Sequence, residues 1–80
     1  MVSAKVTVVF KAGVLDPQGK TIFNALQDLG YKSVQSVSTG KVFDLKIDKA
    51  DKDDARRDID EICRKLLANP VIEDYRIEVE

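Results

Sequence analysis

Histidine and tryptophan are absent from this chain of 80 residues, and cysteine occurs once, at Cys63. Without histidine, the usual zinc sites and Ser-His or Cys-His nucleophilic pairs lack their parts. With a single cysteine, an intramolecular disulfide is impossible. Charge of one sign is missing too: 13 basic and 14 acidic residues leave a net charge of -1, although 34% of the chain is charged. That balance disfavours nucleic acid and anionic membrane as partners. No apolar run approaches the roughly 20 residues of a membrane span. The N-terminal stretch MVSAKVTVVFK alternates too regularly for a signal peptide. A cytoplasmic protein with no membrane contact is therefore expected. A catalytic set is not expected on this chain, nor a metal or cofactor site.

What is present is regular patterning over a single domain, 1–80. A domain this small buries only ~60–65% of its unfolded surface, so association with another chain would add stability. Val2, Ala4, Val6, Val8 and Phe10 alternate with more polar neighbours, the period-2 pattern of a strand with one face on a core. Ile22, Ala25, Leu26 and Leu29 then recur at helical spacing, which predicts a helix over 17–29 that Gly30 ends in a left-handed cap. Val37, Phe43, Leu45 and Ile47 share odd parity across Thr39-Gly40-Lys41. A three-residue turn there would set Val37 opposite Phe43 in a hairpin, while one long strand bent at Gly40 keeps the same parity. The hairpin is the reading adopted for residues 34–48, with the single bent strand as its alternative.

A second helix opens on Asp48, Asp51, Asp53 and Asp54 and carries the stripe Ala55, Ile59, Ile62, Cys63 and Leu66. Pro70 ends it by residue 68. Tyr75, Ile77 and Val79 form the last strand. The order β-α-β-β-α-β predicts an α+β, two-layer, ferredoxin-like sandwich with both helices on one face of an antiparallel sheet, all inward residues sharing one core.

The stretch GVLDPQGKT, residues 13–21, nearly spells a phosphate-binding loop. The P-loop needs four residues between its first Gly and Gly-Lys-Ser/Thr, and here there are five. Asp16 would add negative charge at the phosphate and Pro17 removes an N–H donor. The stretch reads instead as a helix start, with Asp16 as N-cap and Pro17 at the first helical position. Cys63 reads as a small core residue. The acids from Asp51 to Glu61 lack the Gly and closing Glu of a calcium loop and read as a solvated helix face.

Nothing in the sequence covers the second sheet face, where Lys5, Thr7, Val9, Asp44, Lys46, Arg76 and Glu78 lie. Charges of both signs among Val9, Val42 and Ile72 suit either a wet surface or a subunit interface. Phe23 lies about 100° off the helix stripe, so it either flanks the core or anchors another protein.

Two segments, GVLDPQGK at 13–20 and LLANPVIEDYRIE at 66–78, with LGY at 29–31 and GK at 40–41 between them, resemble the family of small PurS subunits of phosphoribosylformylglycinamidine synthase. The resemblance spans essentially the whole chain. It implies a place in an assembly that converts formylglycinamide ribonucleotide to its amidine, with glutamine as nitrogen donor and ATP as activator. It places the catalytic residues, and the ATP and magnesium, on other chains: a glutaminase subunit and a synthetase subunit that the small subunit brings together, and whose ammonia path it helps to form. It also implies a homo-oligomer, a dimer or a dimer of dimers. On the same basis Leu15, Asp16, Gln18, Lys20 and Phe23 at one end, Asn69 at the other, and Arg76 with Glu78 across a subunit boundary become candidate partner-binding residues. The alternative from the residues alone is a stand-alone ferredoxin-like domain that senses a small molecule.

Overall fold

A computed structural model describes residues 1–80. The first strand, β1 (Val2–Phe10), is central, flanked by β2 (Gly40–Ile47) and β3 (Glu73–Val79) in a three-stranded antiparallel sheet of order β2-β1-β3. Register pairs Val6 with Phe43 on one side and with Ile77 on the other, so the apolar alternations of all strands fall on the same face. The helix α2 (Lys52–Ile62) lies over that face. Ala4, Val6 and Val8 cluster with Ile59, Cys63 and Ala68, and Val2 and Ala55 are buried as well. Phe43, Leu45, Ile47, Leu67, Tyr75, Ile77 and Val79 pack around them, half-buried. The two-layer ferredoxin-like architecture is as the sequence predicts, with one strand fewer.

The missing strand is the first arm of the expected hairpin. Residues 34–38 join no ladder, and they do not extend β2 as part of a paired strand. Gly40 and Lys41 are already in register with Val9 and Val8, so the chain is extended where the turn at Thr39-Gly40-Lys41 was expected to reverse it. The segment before it is tied to the first helix, α1 (Pro17–Asp28), instead: Gln27 Nε2 donates to Val34 O at 2.9 Å, and Thr39 N donates to Asp16 Oδ2 at 2.6 Å.

Both ends of α1 are as local chemistry requires. Asp16 takes the N-cap with Gly19 N bonded to its carboxylate at 2.8 Å, and Pro17 opens the helix. Gly30, at φ 97°, closes it: Gly30 N donates to Gln27 O and Tyr31 N to Leu26 O, each at 3.0 Å, the paired bonds of a Schellman stop.

The placement of α1 differs from expectation. Its stripe does not join the core, and Ile22 and Leu29 remain 39% and 72% exposed. The radius of gyration is 16.2 Å, against about 12 Å for a compact chain of this length. A nine-residue strand spans about 30 Å and a twelve-residue helix about 18 Å. Set end to end they account for the 51 Å long axis. The helix and residues 31–39, running back along it, form an arm beyond the end of the sheet.

The second helix also departs from its predicted stripe. From Cys63 to Leu67 it widens to a π-helix, with Ala68 N donating to Cys63 O at 2.9 Å. The wider turn takes one extra residue, so Leu67 turns inward and Leu66 is left 79% exposed.

Candidate functional site

The N-terminal motif and the C-terminal motif lie far apart in sequence but meet at one end of the sheet. The Cα partner of Phe10, the last residue of β1, is Glu73, the first of β3. Glu73 Oε1 accepts from Asn69 N at 2.7 Å, and Asn69 Oδ1 accepts from Val71 N at 3.0 Å, which fixes the turn around Pro70. Asn69 O accepts from both Ile72 N and Glu73 N. On the other side of the same strand end, Glu73 and Phe10 share a cleft of about 290 Å³ with Asp16, Pro17, Gln18, Thr39, Gly40 and Lys41. Lys11 reinforces the junction through Asp74, Nζ to Oδ1 at 2.6 Å.

Asp16 is the hinge pin of this end. Its carboxylate accepts from Gly19 N, from Thr39 N and from the Thr39 hydroxyl, the last at 2.9 Å. The Gly19 and Thr39 amides bond the ionised form and hold the carboxyl below its usual range, the Gly19 bond most strongly. A carboxyl whose pKa is depressed by folding contributes stability above its unfolded value, and that contribution is lost as pH falls through the folded value. Acid titration is therefore expected to shift the amide signals of Gly19 and Thr39 together, in one transition below pH 3.8, the ordinary value for this group. Separate transitions, or a joint one above that pH, would contradict the shared carboxylate.

The candidate partner residues fall into two groups. Leu15, Gln18 and Lys20 are exposed around the start of α1, with Asp16 beneath them and Asn69 across the cleft-bearing strand end through Glu73. Phe23 is half-buried within the arm, in a groove shared with Val14, Leu15 and Val37, so it stitches α1 to the returning segment. Arg76 and Glu78 are elsewhere. They lie on the uncovered sheet face, Arg76 Nε 3.4 Å from Glu78 Oε1. There Lys5 pairs across β1 with Asp44 on one side and Glu78 on the other, an alternation of sign along one row.

Thr39, bonded to Asp16, and Glu73, bonded to Asn69, both line the cleft beside which the two motifs lie, and neither stood out in the sequence. No local pattern marks Thr39, whose partner is 23 residues away. A second groove, of about 530 Å³ between α2 and β3, contains Arg56, Arg57 and Arg76 with Asp53, Asp60 and Tyr75. The Tyr75 hydroxyl donates to Asp60 at 2.6 Å, which raises the phenol pKa, and Arg64 lies 3.1 Å from the same carboxylate. Cys63 is fully buried, and burial pushes its thiol pKa up, so it is no nucleophile. The assembled end offers a shaped surface whose capping carboxylate and Asn69 turn are hydrogen-bonded within the chain.

Comparison with known proteins gives one consistent result. Residues 3–80 match the PurS family, described as phosphoribosylformylglycinamidine (FGAM) synthase. Phosphoribosylformylglycinamidine synthase subunit PurS of Bacillus subtilis is 51% identical over all of this chain and 94% of its own length. The crystal structure of Methanocaldococcus jannaschii PurS, a subunit of formylglycinamide ribonucleotide amidotransferase, superposes with a TM-score of 0.89 at 44% identity, covering 100% of this chain and 96% of that one. A chain in the structure of PurLQS from Thermotoga maritima superposes with a TM-score of 0.86 at 27% identity, over 100% of this chain and 99% of that one.

Proposed function

Because the chain belongs to the PurS family of phosphoribosylformylglycinamidine synthase subunits, we propose that it is the non-catalytic assembly subunit of that complex in purine biosynthesis, acting as a homo-oligomer that brings glutaminase and synthetase subunits together. The observation that carries this reading is the meeting of the two motifs at one end of the sheet, where Leu15, Gln18 and Lys20 are exposed on a loop and helix start pinned by Asp16. Such an end suits recognition by other proteins, with exposed side chains held on a rigid support. The Thermotoga maritima PurLQS structure, which contains a chain of this shape, supports the same reading. ATP and magnesium belong to the synthetase subunit, and the complex works in the cytoplasm. No helix of this chain is long and apolar enough to cross a membrane.

Two features support the homo-oligomer. Only 9 of the 80 residues are buried, a small core for a chain that must order its whole backbone. The long arm adds exposed apolar side chains that a second copy could cover.

Reconstitution tests the assembly role. Without this chain, glutaminase and synthetase are expected to lose at least 10-fold, on the order of 1.4 kcal/mol or more of transition-state stabilisation, in glutamine-dependent synthesis. Synthesis from saturating free ammonia should be unchanged. Equal glutamine-dependent rates with and without the chain would sink the proposal.

A further inference from the structure

We propose that Arg56 closes the free edge of β3 to a second copy of the same strand, and so stops the sheet from growing by strand addition on that side. This goes beyond the assembly role and does not depend on it.

β3 is an edge strand, paired only with β1. Lys11 N donates to Ile72 O and Glu80 N to Ser3 O, so the even residues of β3 bond β1. Glu73, Tyr75, Ile77 and Val79 therefore turn their N–H and C=O groups outward, where unpaired groups form a template for another strand. The Asn69 turn closes the start of this edge, since Glu73 N donates to Asn69 O at 2.8 Å. The stretch from Tyr75 to Val79 is left.

The side chains of that stretch attract a second copy of it. With the second β3 antiparallel and Ile77 opposite Ile77, Arg76 faces Glu78 in both directions, and Tyr75 faces Val79 on the apolar face. A two-fold axis through Ile77 makes the contact self-complementary. The charges on β3 are therefore not what keeps its edge free.

Arg56, reaching over from α2, occupies the centre of that register. Asp53 and Asp60 stand three residues before it and four after it, the spacings at which helical ion pairs form. Arg57, Arg64 and Arg76 each have a carboxylate within 3.4 Å, but Arg56 has no such partner. Asp60 is engaged by the Tyr75 hydroxyl and by Arg64. The Arg56 guanidinium goes to the strand edge instead, where Nη2 donates to Ile77 O at 3.4 Å. That carbonyl is the acceptor that Ile77 N of a second copy would need. The bond is long, so the block comes from the bulk and charge of the side chain lying in the groove between α2 and β3. The same two-fold axis would bring the Arg56 side chains of both copies together over Ile77, adding like-charge repulsion to the obstruction.

The test compares Arg56→Met, which keeps the stem and removes the charge and donors, with Arg56→Lys, which keeps the charge. Oligomer mass is followed by light scattering from micromolar to millimolar protein. The unsubstituted chain and Arg56→Lys should hold one plateau mass. Arg56→Met should grow beyond it, starting at a concentration at least about 10-fold below any growth of the other two. Because the readout is growth beyond the plateau, it is separate from the size of the native oligomer. Amide exchange identifies the surface: Tyr75, Ile77 and Val79 should exchange at open-edge rates in the unsubstituted protein and be protected at least about 10-fold in the grown Arg56→Met assembly. An Arg56→Met plateau equal to that of the unsubstituted chain overturns the proposal, and so does growth without protection of those three amides. Protection of Tyr75 and Ile77 in the unsubstituted protein also overturns it, since the edge would then be in use, and that measurement requires no variant to fold.

Discussion

Replacing Ile59 with alanine is expected to cost about 3–4 kcal/mol of unfolding free energy and to lower the melting temperature by roughly 15–25 °C at fixed protomer concentration. Ile59 is fully buried, as are Val6, Val8 and Cys63 in the same core cluster, and it is among the largest side chains buried so completely. Val6 and Val8 cannot move to fill the space, because β1 is bonded to a neighbour strand on each side. On the other flank α2 is fixed by its Asp51 cap and by the Tyr75–Asp60 bond to β3. A cavity that cannot collapse incurs the full penalty of lost packing as well as lost transfer energy. With only 9 buried residues, no remote part of the core compensates. Leu66 is the internal control. It shares the α-helical stripe in sequence, yet at 79% exposure its replacement by alanine should change stability by less than about 1 kcal/mol. Thermal unfolding followed by circular dichroism distinguishes the two, and equal losses would mean that the π-helical slip is wrong.

The comparison of Ile59 with Leu66 shows where the sequence stops being informative. Caps and alternations are local, so Asp16, Pro17, Gly30 and the strand parities announce themselves over a few residues. The hairpin at Thr39-Gly40-Lys41 was equally well patterned and is absent. Parity states which residues share a face, not which chain supplies the partner strand. What decided it is the bond from Thr39 to Asp16, which spans 23 residues and leaves no periodic trace. The same holds for the site. Each motif could be found alone, but the cleft that Glu73 shares with Asp16, Pro17 and Gln18 follows from the register of β3 on β1, which no spacing in the chain encodes. The stripe on α1 was read correctly as apolar. Its destination was not, since an amphipathic helix carries the same pattern whether its cover is its own sheet or another chain's.

Gly19→Ala provides a sharper test of how the arm is built, because helix propensity and geometry predict opposite signs. Inside a helix, alanine is favoured over glycine by about 1 kcal/mol, so propensity alone predicts a stabilised α1. At this position an added Cβ would lie 2.6 Å from Val37 O and 2.8 Å from Asp16 Oδ2. The first of these is backbone, held by a segment that is itself tied to Asp16 through Thr39 and to Gln27 through Val34, so it cannot swing aside as a long side chain would. Relief requires the returning segment to move off α1, which opens the Asp16–Thr39 bonds. The variant is expected to lose about 2–3 kcal/mol of arm stability, a cost in the range of forced overpacking and opposite in sign to the propensity gain. The sheet and α2 core lie outside the contact, so the loss should appear in amide exchange of residues on α1 and around Thr39, with the β1 amides unchanged. Because the same end presents Leu15, Gln18 and Lys20, assembly with the other subunits should weaken along with the arm. An unchanged or more stable arm would show that Val37 does not approach the helix as closely as the geometry requires. The packing of α1 on its returning segment would then need another explanation than the space left by a glycine.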